Sequence, residues 1–132
     1  MATTTETALQ AKLIAPGFTV NDLEKSIRFY EGLGFAVDER WESEGKLQGV
    51  MLRAGSAMLG LNQDDWAKGK DRVKGVGMRV WISTGQDIDQ VAARAKANGI
   101  TLESEPEDTE WGGRAFTLTD LDGFKLTISN WS

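Results

Sequence analysis

Apolar positions along the chain alternate with a period of two in eight stretches and recur at helical spacing in two others. The first extended stretch is Leu13-Ile14-Ala15-Pro16-Gly17-Phe18-Thr19-Val20. Pro16 cannot donate to a strand ladder, so an edge position or a local irregularity is expected there. Asn21 or Asp22 is placed to cap a helix with Leu23, Ile27 and Tyr30 on its buried stripe and Glu24 and Lys25 toward solvent, ending near Gly32-Leu33-Gly34. Three strands follow, at 35–42, 47–53 and 57–62, separated by the hairpin signals Ser43-Glu44-Gly45 and Ala54-Gly55-Ser56.

After a polar linker at 63–74 the plan repeats. Residues 76–82 read as a strand, and Asp87 caps a helix whose stripe is Ile88, Val91, Ala92 and Ala95. Strands are expected at 101–103, 111–119 and 124–129, the last two joined by the corner Asp120-Leu121-Asp122-Gly123. In each half the capping aspartate precedes the helix-stopping glycine by twelve residues, Asp22 to Gly34 and Asp87 to Gly99. The repeat predicts an α+β fold of two β-α-β-β-β modules, at 13–62 and 75–132, after a flexible segment at 1–12. One helix covers only one face of a four-stranded sheet, so two modules within a chain or across a homodimer are expected to form a curved mixed sheet, helices outside and a concave cavity inside.

Strand parity sorts the lining of that cavity. If Ala15 faces inward, so do Gly17 and Thr19, with Phe18 and Val20 in the core; Met58, Gly60 and Asn62 face inward, as do Lys125, Thr127 and Ser129. Taking Met78 as inward on the fifth strand turns Val80 and Ile82 inward too, leaving Trp81 as a packed core ring and Arg79 in an uncomfortable helix-side position.

Composition narrows the chemistry. The 132 residues contain no cysteine and no histidine, which removes disulfides, thiolate or imidazole metal sites and Ser-His triads. A formal net charge of −5 argues against nucleic acid as a partner. No apolar run approaches the length of a membrane span, and the opening residues lack signal-peptide character, so no membrane partner and a cytoplasmic location are expected. Glu39, Glu42, Glu103, Glu105 and Glu110 are carboxylates without a recognisable pairing, and no glycine-rich phosphate loop occurs.

The run Val20-Asn21-Asp22-Leu23-Glu24-Lys25-Ser26-Ile27-Arg28-Phe29-Tyr30-Glu31-Gly32-Leu33-Gly34-Phe35, with the closing Gly112-Gly113-Arg114-Ala115-Phe116 and Asp120-Leu121-Asp122-Gly123-Phe124-Lys125-Leu126, resembles the glyoxalase, bleomycin resistance protein and extradiol dioxygenase superfamily, the vicinal oxygen chelate fold. Metal-dependent members place His, Gln or Glu at four positions of the concave surface, which the resemblance maps onto Ala15, Gly60, Met78 and Thr127. Those side chains cannot form a metal site, so the resemblance implies the metal-free branch, without a cofactor, which includes proteins that sequester aromatic antibiotics.

The expected function is therefore binding of a small aromatic or amphipathic molecule, with an enzyme using a carboxylate base or atypical metal site, or an accessory interaction domain, as the alternatives. The expected ligand-binding set is Trp41, Met58, Asn62, Trp66, Met78, Trp111, Arg114 and Thr127. Four of these have a structural counter-reading: Trp66 pins the linker or lids the site, Trp41 lines the cavity mouth or packs across strands, Trp111 is pocket wall or structural packing, and Arg114 contacts ligand or is a surface strand arginine. Trp131 is expected to dock the tail on the sheet or a partner.

Overall fold

The computed structural model describes residues 6–130, so Trp131 lies outside the described residues. The first module contains β1 (Gly17–Val20), α1 (Leu23–Leu33), β2 (Ala36–Ser43), β3 (Lys46–Ala54) and β4 (Ala57–Gln63). The second contains β5 (Arg79–Ser83), α2 (Ile88–Ala97), β6 (Ser104–Asp108), β7 (Arg114–Thr119) and β8 (Lys125–Ser129). Each forms its own four-stranded mixed sheet, ordered β1-β4-β3-β2 and β5-β8-β7-β6, and the first strand of each module runs parallel to its last.

The helices start and stop where local chemistry tells them to. Asp22 accepts from the Lys25 amide and Asp87 from the Gln90 amide, while Gly34 ends α1 with φ 122° and Gly99 follows α2 with φ 86°. Strand limits moved where the chain could not pair. Residues 13–16 are not strand: Ile14 is 90% exposed, and pairing begins where the Pro16 carbonyl accepts from Gly60 N. The sixth strand lies at 104–108 rather than 101–103, and as a sheet edge it tolerates Pro106. Trp111 to Gly113 form a turn, held by the Thr109 hydroxyl on the Gly112 carbonyl, before β7 begins at Arg114.

Phe18, Val20, Val50, Leu52, Leu59 and Leu61 of the first sheet and Phe116, Leu118, Leu126 and Ile128 of the second enter one buried core with the stripes of both helices. The modules are joined there by α1 against α2 and by the corner after β7. Phe18 stacks on Phe124 with centroids 4.0 Å apart and planes within 3°. At the same corner the Tyr30 hydroxyl donates to Asp120 across 2.6 Å, and Asp122 accepts from the Asn21 amide at 2.8 Å. Gly75 has φ 78°, and a side chain there would collide with the Gly123 carbonyl, which presses the linker end against this corner.

Among the described residues no helix covers the other face of either sheet. On the first it carries Trp41, Gly49, Met51, Met58, Gly60 and Asn62, the alternate positions to Val50, Leu52, Leu59 and Leu61. On the second it carries Arg79, Trp81, Thr117, Lys125 and Thr127, alternate to the core-facing Val80, Ile82, Phe116, Leu118, Leu126 and Ile128. The expected phase of β5 was therefore inverted. Val80 and Ile82 pack on the core, and Trp81 stands 65% exposed rather than as a core ring. Arg79 thereby escapes the apolar side.

Asp64, at the exit of β4, is buried and accepts from Lys74 Nζ at 2.9 Å, from Arg72 Nη2 at 3.2 Å and from the Trp66 amide at 2.8 Å. The Lys74 ammonium, then the Trp66 N–H, hold its carboxyl below the usual range. The unfolded chain binds a proton more readily at this position, so the stabilisation is complete above about pH 3.9 and is lost as pH falls through the lower folded value. Asp64→Asn is expected to lower the melting temperature at neutral pH and to flatten its acid limb. An unchanged acid limb in calorimetric scans from pH 7 to pH 2 would contradict this.

Candidate functional site

Two of the exposed aromatics stand together on the uncovered face of the second sheet. Trp81 projects from β5 and Trp111 from the turn before β7, with ring centroids 6.4 Å apart and planes within 21°. Both remain largely exposed, at 65% and 60%. Gly112 and Gly113, at φ 93° and 85°, give the chain the turn that seats Trp111 beside β5. Near-parallel indoles open to solvent present an apolar, polarizable surface on which a planar group can stack.

Polar groups adjoin this surface. Trp81 pairs in register with Thr127 of β8, and Arg79 pairs with Lys125. The Arg79 Nη1 donates to Thr127 Oγ1 across 3.0 Å. Thr127 itself is buried beneath that guanidinium, so its exposure to a ligand runs through Arg79. An open depression of about 490 Å³ begins at this end of the face, lined by residues 74–79 with Gly123 and Lys125. Met78 lies in that lining, just ahead of β5 and 41% exposed, at the rim of the face rather than on the strand's inward side.

The remaining expected residues separate. Trp41, Met58 and Asn62 share the uncovered face of the first sheet, where the Trp41 indole lies over Gly49 so closely that a Cβ there would come within 2.3 Å of its ring atoms. That is a cross-strand packing role, combined with 40% exposure. Trp66 is engaged with Lys74, whose ammonium sits 5.5 Å from its ring, so it covers the Asp64 ion pairs where the linker joins the body. Arg114 shares parity with Phe116 and Leu118 and so points to the helix side. Its guanidinium holds Asp89 of α2 through Nε and Nη2 and Asp108 of β6 through Nη1. The hydrogen bonds to Asp89, then to Asp108, keep it more firmly protonated than a lone arginine. This arginine clamps α2 to the sheet; the cation beside the tryptophans is Arg79.

A larger depression of about 820 Å³ lies elsewhere, between the β3–β4 turn and the β5–α2 connection. Within it Thr84 receives the Gln86 amide and Asp87 the Gln90 amide. Among the described residues its lining includes no tryptophan, and it lies at the start of α2.

Compared with known families, residues 12–128 match the sequence profile of the Glyoxalase/Bleomycin resistance protein/Dioxygenase superfamily. The chain belongs to this superfamily. A superfamily member from Sphaerobacter thermophilus has a similar structure, at TM-score 0.70 and 24% identity over 91% of this chain and 97% of that one. A bleomycin-binding protein complexed with bleomycin gives 0.69 and 21% over 92% and 100%. TioX from Micromonospora sp. ML1 gives 0.68 and 19% over 90% and 98%. At these identities the likeness speaks for the fold. A comparison with curated proteins finds no match.

A metal does not fit the residues of this member of the superfamily. Among the described residues no three acidic, cysteine or histidine side chains come close enough to hold one. The Gly60 position offers no donor atom, its neighbourhood being Met51 and the backbone of Pro16 and Gly17. At the remaining end of the mapped set, Thr127 Oγ1 receives a guanidinium. A cationic side chain over that oxygen opposes a divalent ion electrostatically.

Proposed function

We propose that this protein binds a small planar aromatic compound, without a metal, on the uncovered face of its second sheet. The observation that carries this is the exposed, near-parallel Trp81–Trp111 pair on a helix-free surface. Their exposure and near-parallel setting suit a stacking planar ligand. The bleomycin-binding relative, complexed with bleomycin, shares the fold and supports the reading by analogy.

The cavity is completed by a second copy. Within one chain the helix-covered faces share a core, while Trp41, Met58 and Asn62 lie on one uncovered face and Trp81, Trp111 and Thr127 on the other. A two-fold dimer that lays the first-module face of one protomer over the second-module face of its partner makes two equivalent cavities. It also closes the curved sheet around each of them, and buries the exposed apolar side chains of both faces.

A thermal-shift screen of planar aromatic compounds, with tryptophan emission as the parallel readout, tests the proposal. The expected result is a rise in melting temperature together with quenching or a spectral shift. A screen in which aromatic compounds move neither signal would sink it.

A further inference from the structure

We infer that the site selects aromatic compounds bearing an oxyanion, a carboxylate or phosphate, and that Arg79 and Lys125 receive that group. The inference rests on the aromatic-binding reading of the same face and adds the ligand's charge.

Arg79 and Lys125 are direct register partners on the neighbouring parallel strands β5 and β8. Both are exposed. Like charges placed opposite one another repel, and such a pair weakens a sheet unless a negative group lies between them. Among the described residues five other cations hold carboxylates. Arg53 holds Asp38, Lys96 holds Glu105, Arg114 holds Asp89 and Asp108, and Arg72 and Lys74 share Asp64. Among the described residues neither Arg79 nor Lys125 has a carboxylate partner; Arg79 has only the neutral Thr127 hydroxyl, through one of its nitrogens. The other guanidinium N–H groups and the ammonium stay available to an acceptor.

Position makes the pair part of the aromatic site. Arg79 and Trp81 are two residues apart on β5 and project from the same face, separated by roughly 7 Å along the strand. That is close to the reach from the centre of a fused aromatic ring system, through an oxyanion on its edge, to a hydrogen-bond donor. The depression of about 490 Å³ opens beside the two cations, bounded by residues 74–79 with Gly75 and Gly77 at φ 78° and 75°. Lys74 also borders it, but its ammonium is committed to Asp64 and Trp66. A ligand with its ring on Trp81 and Trp111 and its oxyanion between Arg79 and Lys125 relieves the like-charge repulsion. It also gains charge-assisted hydrogen bonds from both side chains.

Calorimetric titration of the full chain with 2-naphthoate, 2-naphthyl phosphate and neutral 2-naphthamide tests the inference. Either anion is expected to bind at least about 10-fold more tightly than the amide, as charge-assisted hydrogen bonds do against neutral ones. The stronger of the two identifies the preferred oxyanion. Arg79→Gln and Lys125→Gln should each reduce that preference toward unity, and with one like charge gone the apo melting temperature should not fall. Equal binding of all three ligands, or a preference that survives both substitutions, overturns the oxyanion assignment while leaving the aromatic site in place. Failure of all three to bind removes the aromatic site as well.

Discussion

Trp81→Ala is expected to weaken binding of a planar aromatic ligand by roughly 30-fold or more, the effect of a hot-spot aromatic, while leaving the apo protein's stability within about 0.5 kcal/mol. The two effects separate because Trp81 is 65% exposed and packs on Trp111 rather than in the core. Arg114→Ala should behave in the opposite way. Its guanidinium ties α2 and β6 to β7, so its loss lowers the melting temperature but leaves ligand affinity within about twofold, as expected for a residue outside the interface. Titrations and thermal melts of the two variants check the pair. Equal losses of affinity in both would return Arg114 to the site and displace Arg79.

The largest expected loss of stability follows from Asp120→Ala. Asp120 is 7% exposed and accepts from three donors: the Tyr30 hydroxyl at 2.6 Å and the Asp122 and Phe124 amides at 2.9 Å each. Tyr30 is fully buried on α1 of the first module, whereas the amides belong to the corner of the second. One carboxyl therefore shapes the corner and ties the modules together. Alanine would strand these donors, at a cost of roughly 3–5 kcal/mol. Tyr30→Phe leaves both amides satisfied and should cost about 1–2 kcal/mol. Chemical denaturation of both variants gives the comparison, and an Asp120→Ala loss no larger than that of Tyr30→Phe would contradict the bridging role.

Burial first raises the carboxyl pKa of Asp120, against the lowering pull of its hydrogen bonds, and burial with the nearby Asp120 raises that of the Tyr30 phenol. With the folded carboxyl pKa above the unfolded one, the Asp120 contribution declines as pH rises through the folded value. Its sign is opposite to that of Asp64. Acid sensitivity of the fold is thus expected from Asp64 and not from Asp120.

The features legible in the sequence were those set by local chemistry. Asp22 and Asp87 each cap a helix, Gly34 and Gly99 each stand at a helix end, and the parity of β1, β4 and β8 follows from Phe18, Leu59, Leu61, Leu126 and Ile128. The doubling of the motif led to two modules, and both sheets have the same strand plan. Strand limits were less legible where pairing partners decide them. Thr101 to Glu103 look extended but only Glu103 reaches β7, through its amide on the Thr117 carbonyl.

Within the site, Trp81 was misplaced because Met78 was taken as inward, which inverted β5. The corrective signal was present: Val80 and Ile82 are better core residues than Arg79. On β7, Phe116 and Leu118, two and four residues beyond Arg114, already assign the arginine to the helix side. The pairing of Arg79 with Lys125 was not legible, since it depends on the register between β5 and β8, which local sequence does not encode.

Metal independence at the Trp81–Trp111 face is tested most directly by titrating 2-naphthoate into the protein before and after exhaustive dialysis against a chelator. The predicted result is one ligand per chain with the same affinity in both preparations. Binding that disappears on chelation and returns with a divalent cation would contradict it.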